Sequence, residues 1–221
     1  MDCISGEILI AVAHPSEEEV VKKAVATAKL GCEVIVTGVG GAAMSWALQK
    51  RFASGSVPSL VIGAGIAGSY IPSIIPGDVV IAESDCFADM GVDDNGEFLS
   101  LFRASLADPD RPPFSGGRIY SRGKCFDAVA PLFPSVKGAT VNMSSGSQAV
   151  IDRIRRAWNP DIETMEGAWL AYACAVSGIQ WVSVRSVSNM VEPRRPENWD
   201  IPLALQQLQA AMIKILVMIK G

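Results

Sequence analysis

Histidine is almost missing from this chain: His14 is the one imidazole in 221 residues. The five cysteines (Cys3, Cys32, Cys86, Cys125 and Cys174) are scattered, with no Cys-x-x-Cys spacing. A zinc site therefore lacks ligands, and no metal or cofactor is expected. Odd, dispersed cysteines suit buried or free thiols in a reducing compartment better than a disulfide framework. Basic runs are equally scarce, none longer than Arg155-Arg156 or Arg194-Arg195, and 19 basic against 23 acidic residues give a net charge of -4. A nucleic-acid partner would need a basic patch, so none is expected. The N-terminus has no basic segment followed by a long apolar core, which speaks against a signal peptide. The most apolar tail, Ala210 to Ile219, is interrupted by Lys214 and reads as too short for a membrane span. A cytoplasmic protein that binds neither nucleic acid nor membrane is the expectation.

What is present is apolar and regularly punctuated. Hydrophobic residues make up 49% of the chain and the mean hydropathy is +0.29, enough to fill a core and some subunit surface. Ile8 to Ala13 is a continuous apolar run ending at charge and Pro15, the mark of a buried strand. Ser16 can cap a helix from Glu17 to Leu30, with Glu19 completing a capping box and Gly31 ending it. Further strands are expected at Glu33 to Thr37, Ser59 to Ile62 and Val79 to Ala82, with a helix from Gly41 to about Phe52 after the second. From Asp85 to Pro113 the pattern becomes acidic and rich in Gly and Pro, as in a hairpin or long excursion. Short strands at Gly117 to Tyr120 and Gly138 to Asn142 and a helix over Ser147 to Ala157 follow. An apolar strand Ile179 to Val184 and an amphipathic helix from Pro202 to Lys220 close the chain. Strands alternating with helices predict an α/β fold: a mixed central sheet with helices on both faces, in a single domain over residues 1–221.

Two polar stretches stand out. Thr164-Met165-Glu166-Gly167-Ala168 opens an alanine-rich helix, reading on to about Val176. A carboxylate there is favoured by the helix dipole by about 0.3–1 kcal/mol, which alone would explain Glu166. Met165 beside it adds an apolar, adaptable surface to a pair of hydroxyl acceptors, a combination that suits a ribose. Arg185-Ser186-Val187-Ser188-Asn189 lies beyond the expected strand end, where open α/β sheets bind ligands.

Met165-Glu166 followed by Arg185-x-x-Ser188-Asn189 resembles the nucleoside phosphorylase and nucleosidase superfamily, whose members break the glycosidic bond of purine nucleosides. Thr37-Gly38-Val39-Gly40, Ala64-Gly65-Ile66-Ala67-Gly68 and Pro76-Gly77-Asp78 match its other motifs in the same order. No one of these short patterns is specific, but five in order are. The resemblance implies that Glu166 takes the ribose hydroxyls with Met165 against the sugar. It implies substrate contacts from Ile66, Ala67, Gly68, Arg185 and Ser188, and assembly as a homo-oligomer, dimer or higher, in which a neighbour's loop helps close the site.

The loop Ala13-His14-Pro15-Ser16-Glu17-Glu18-Glu19 separates the branches. Phosphorylases carry an arginine there to hold phosphate; here there are three acids and no basic residue. A carboxylate can activate water instead, and a gap-free match gives Glu17, with Glu19 second and His14 below both. Asn189 replaces the aspartate of the methylthioadenosine nucleosidases. It can donate hydrogen bonds to purine N7 or a 6-oxo group but cannot protonate the base. No aromatic lies in Gly146 to Val150, so Phe87, Trp169 or Trp199 must cover the purine. The segment from Asn189 to Ala204 most resembles the futalosine hydrolase branch, which removes hypoxanthine from futalosine in menaquinone biosynthesis. There Arg194, or else Arg195, would meet the carboxylate on the far side of the sugar. The alternatives are a methylthioadenosine/adenosylhomocysteine nucleosidase, a purine nucleoside phosphorylase, and a nucleoside-binding protein without turnover.

Overall fold

The computed structural model describes residues 6–220; Cys3 lies outside them. The apolar runs form the centre and the amphipathic segments cover it. In chain order the elements are β1 (Ile8–Val12), α1 (Pro15–Ala28), β2 (Glu33–Val36), α2 (Gly41–Ala53), β3 (Leu60–Ser69), β4 (Val79–Asp85), β5 (Gly91–Asp94), β6 (Glu97–Ser100), β7 (Ile119–Tyr120), α3 (Lys124–Val129), β8 (Ser135–Thr140), α4 (Gln148–Trp158), β9 (Ile162–Thr164), α5 (Gly167–Val176), β10 (Gln180–Met190) and α6 (Ile201–Lys220). Among the described residues, eight strands form one mixed sheet along the path β10-β4-β8-β9-β3-β1-β2, with β7 on β4; β5 and β6 make a separate hairpin within the Gly- and Pro-bearing excursion. β10 also pairs with β3, so β3, β10, β4, β8 and β9 close on themselves.

Side-chain alternation along β1 shows how the layers are built. Ile8, Ile10 and Val12 enter one cluster with Val21 and Ala24 of α1 and Leu208, Met212, Ile215 and Leu216 of α6. Leu9 and Ala11 enter another with Met44 and Leu48 of α2 and Leu170, Ala171 and Cys174 of α5. Helices thus cover both faces, as expected.

Several boundaries differ from expectation. α1 begins at Pro15, because proline suits the first helical position and pushes the cap back to His14; Ser16 is inside the helix, its N–H bonded to His14 Nδ1 at 3.2 Å. Glu17, not Glu19, then completes the capping box. Lys29 rather than Gly31 takes the left-handed conformation that ends α1. β3 and β10 run well past their expected ends, so the Gly-rich segment 64–68 and the cluster 185–189 are strand rather than loop. α6 spans 20 residues and is, by length and composition alone, long and apolar enough to cross a bilayer, which corrects the reading of a tail too short to do so. Its Ala204, Leu208, Met212, Ile215 and Ile219 face is buried against the rest of the chain.

Burial raises the Cys86 thiol to about 12 and the half-buried Cys32 to about 11, so neither carries an appreciable thiolate at neutral pH. Among the described residues no group of three or more His, Cys, Asp or Glu side chains is placed to hold a metal ion.

Candidate active site

The long strand β3 is paired along one side with β10 throughout. On its other side β1 pairs only as far as Gly63, and β9 only at Gly68 and Ser69. Between them, residues 64–67 of β3 face a gap where neighbouring strands diverge, the kind of crevice in which α/β proteins bind ligands. A cavity of about 380 Å³ opens there, lined by residues from several separate parts of the sequence. Two more capacious crevices, one beside the β5–β6 hairpin and one along residues 102–114, hold none of the expected site residues.

Glu17 fills part of this gap. It is 5% exposed, and its Oε1 accepts the Ile66 N–H at 3.1 Å. Its Oε2 accepts the N–H groups of Ala13 and His14 at 2.9 and 3.0 Å. Three backbone donors thus hold one carboxylate at the cavity wall. Glu19, by contrast, faces solvent and pairs with Lys23 at 2.7 Å. His14 lines the cavity, with Nδ1 engaged by the Ser16 hydroxyl at 2.8 Å.

Glu166 sits at the N-cap of α5 yet does not cap it with its side chain. Its Oε1 instead accepts the Gly40 N–H at 2.7 Å, across from the other wall. The dipole explanation for this acid therefore does not describe what its side chain does. Burial pushes its carboxyl above the ordinary range; the Arg185 guanidinium and the Gly40 N–H oppose that rise, and the charge of Glu17 adds to it. Met165 lines the same wall.

Arg185 is 3% exposed and is not among the cavity-lining residues, contrary to the expected substrate contact. Its Nε donates to Ser183 Oγ at 3.1 Å. A Cβ at Gly65 would collide with both Arg185 Nη1 and Glu17 Oε1, so the cation and the acid converge on space that only glycine leaves open. Arg185 lies behind the two acids, as a buried counter-charge.

At the far end Gly68 pairs in register with Glu163 of β9 on one side and Asn189 of β10 on the other. All three line the cavity, as do Ile66, Ala67 and Ser188. The Ser188 hydroxyl donates to Asn189 Oδ1 at 2.7 Å, and Asn189 Nδ2 donates to Met190 O at 2.9 Å, leaving one amide hydrogen for a ligand. Glu163 was not singled out from the sequence, although an acid within a short apolar strand was the available signal. Its carboxylate accepts the Tyr70 and Ser145 hydroxyls, both at 2.5 Å, and the Ser145 N–H at 2.8 Å. This end can therefore offer an acceptor and a donor about a planar base.

Of the three candidate rings only Trp199 lines the cavity. Phe87 and Trp169, both partly buried, instead pack edge-on at 4.7 Å against the α2–α5 side of the core. Arg194 is exposed and not in the lining, but its guanidinium lies over the ring of Trp199, a lining residue, at 5.6 Å.

The family model for the phosphorylase superfamily matches residues 6–220. The chain belongs to the phosphorylase superfamily. Among curated superfamily relatives, futalosine hydrolase of Acidothermus cellulolyticus is 33% identical over 187 residues, covering 81% of this chain and 72% of that one. Futalosine hydrolase of Thermus thermophilus is 25% identical over 84% of this chain and 81% of its own. The superfamily fold is matched by the solved methylthioadenosine/adenosylhomocysteine nucleosidase of Neisseria meningitidis, with TM-score 0.80, 17% identity and 97% and 99% of the two chains covered. Futalosine hydrolase of Helicobacter pylori matches with TM-score 0.77, 16% identity and 97% of each chain.

Proposed function

We propose that this chain is a futalosine hydrolase, an N-glycosyl hydrolase that releases hypoxanthine from futalosine, acting as one domain over residues 1–221. The observation that carries the hydrolytic half of this reading is Glu17. A phosphorylase must hold an anion at this wall, whereas here a buried carboxylate with three N–H partners occupies it. An anion beside it would be repelled, and a water is what a carboxylate can bind and deprotonate. The substrate half is supported by the curated relatives and by Asn189 at the base end.

In this reading Glu166 accepts the ribose hydroxyls while Met165 packs on the sugar. As the C1′–N9 bond lengthens, positive charge builds on the ribose and negative charge on the base. The two buried acids stabilise the first. Asn189 donates to N7 or the 6-oxo group and stabilises the second without supplying a proton. Water, deprotonated by Glu17, forms the new C1′–O bond, and the departing base takes its proton from solvent. Ile66, Ala67, Gly68 and Ser188 shape the cavity floor, and Arg185 opposes the rise that burial imposes on the Glu166 carboxyl. Trp199 covers the substrate, and Arg194 reaches from its ring toward the substrate carboxylate. A cytoplasmic homo-oligomer serving menaquinone biosynthesis completes the proposal.

The test is base release from futalosine, inosine and methylthioadenosine in parallel. Rapid hypoxanthine release from futalosine is expected. Preference for methylthioadenosine would move the chain to the adenosyl nucleosidases, and tight binding without turnover would make it a nucleoside-binding protein.

A further inference from the structure

The start of α5 leaves a question open. Helix N-termini carry N–H groups that need acceptors, and Glu166 at the N-cap gives its carboxylate to Gly40 instead. Two threonines from neighbouring strands take over. Thr164 Oγ1 of β9 accepts the Gly167 N–H at 3.2 Å, and Thr140 Oγ1 of β8 accepts the Ala168 N–H at 2.7 Å. A hydroxyl has one proton, and to accept from Ala168 it must point that proton elsewhere. Thr140 points it at Asp85 Oδ1, 2.9 Å away.

Asp85, the last residue of β4, is 1% exposed and is not among the cavity-lining residues. Its Oδ1 also accepts the Cys86 N–H at 2.8 Å, while its Oδ2 has no hydrogen-bond partner among the described residues. That oxygen lies against Gly138 and Gly167, where a Cβ on either would collide with it. A buried carboxyl is costly to place, and this one is accommodated by two missing side chains, one of them at the first residue of α5. Burial raises its carboxyl to about 6, a rise that Thr140, Arg118 and Arg185 oppose, and the helix N-terminus beside it also favours the anion.

We infer that Asp85 is a positioning residue. By orienting Thr140 it caps α5 in place of Glu166, leaving the Glu166 carboxylate free to face the ribose. The inference rests on the role of Glu166 proposed above. Without Asp85, the Thr140 proton can turn toward Ala168 or Thr164, and Glu166 becomes the nearest alternative acceptor for the helix N–H groups.

The experiment compares Asp85→Ala, Asp85→Asn, Thr140→Val and the Asp85→Ala/Thr140→Val double variant, with kcat and KM measured on futalosine below each melting temperature. Asp85→Asn keeps an oxygen acceptor for Thr140 and Cys86. A clamp displaced by a fraction of an ångström costs on the order of ten- to a hundredfold in turnover, so Asp85→Ala and Thr140→Val should each lose about that in kcat with KM little changed. Asp85→Asn should restore turnover to within a few-fold, and the double variant should be no worse than the poorer single one, since both act through one contact. Wild-type kcat in Asp85→Ala, equal loss in Asp85→Asn, or multiplicative losses in the double variant would overturn the inference. Amide exchange at Gly167 and Ala168 supplies a readout that needs no substrate. Faster exchange in Asp85→Ala than in Asp85→Asn supports the positioning role, and identical exchange in both refutes it. A wild-type protein inert toward futalosine would count against the proposed function, while the exchange data would still decide the role of Asp85. If Asp85→Ala does not fold, the Thr140→Val and Asp85→Asn arms carry the same decision.

Discussion

Replacing Glu166 with Gln removes one charge and almost no volume, which makes it the sharpest probe of the proposed ribose clamp. In the wild type one oxygen accepts the Gly40 N–H at 2.7 Å, and the carboxylate is 6% exposed. The amide oxygen of Gln can keep the Gly40 contact, so the wall should stay in place. What is lost is a charged acceptor facing hydroxyls that become more acidic as the ribose gains positive charge. Hydrogen bonds to charged groups contribute about 1.5–3 kcal/mol, and each ~1.4 kcal/mol is tenfold in rate. Turnover should therefore fall roughly 10- to 150-fold, with a smaller change in KM. Stability should move the other way. Because burial raises the Glu166 pKa in the fold, the ionised side chain costs stability above that pKa, and a neutral isostere is relieved of the cost. The assay is hypoxanthine release alongside a thermal melt. Turnover should also drop in the wild type as pH falls through the raised Glu166 pKa, a limb lying above the usual carboxylate range and missing from the variant. Kinetics within threefold of wild type, with the acid limb retained, would remove Glu166 from the chemistry.

General-base help is typically worth ~10²–10⁴-fold, so Glu17→Gln should cost at least about the lower bound, while Glu19→Gln, at a solvent-exposed Lys23 pair, should leave turnover unchanged; steady-state rates of both distinguish them. Arg194→Ala should raise KM for futalosine and leave inosine, if cleaved, little affected; equal loss on both substrates would deny Arg194 a carboxylate partner. Asp85 gives a stability signature, since its carboxyl is raised from 3.8 to about 6 by burial, against the pull of Thr140 and Arg118. Between those values the folded chain holds a proton that the unfolded chain has released. Stability should thus decline as pH rises from about 4 to about 6, by on the order of 2–3 kcal/mol, and level off above. Denaturation midpoints across that range should show the slope in wild type and its loss in Asp85→Asn.

The layered α/β fold was legible because its strands are uninterrupted apolar runs and its helices carry one apolar face each. Element ends were harder to read. Pro15 shifted the cap to His14 because the preference of proline for the first turn outweighs the hydroxyl of Ser16. Polar and glycine residues at 64–68 and 185–189 looked like strand ends, yet pairing of β3 with β10 continues through them and shapes the crevice. At the site, local motifs pointed to Glu17, Met165, Glu166 and Asn189, all of which line one cavity, because their types suit the proposed chemistry without reference to anything distant. Glu163 and Asp85 escaped because their significance is relational: one depends on its register with Gly68, the other on two glycines from different elements. Arg185 was assigned to the ligand since nothing in a linear sequence tells a cation facing a cavity from one lying behind it. Phe87 and Trp169 were equally indistinguishable from Trp199 until packing separated them.

In the proposed reaction water, not phosphate, attacks C1′. The direct measurement is the initial rate of hypoxanthine release from futalosine in phosphate-free buffer and in saturating phosphate, with the sugar product identified by mass. Equal rates and a free reducing sugar are expected in both. A rate that requires phosphate, with a sugar 1-phosphate as product, would contradict it.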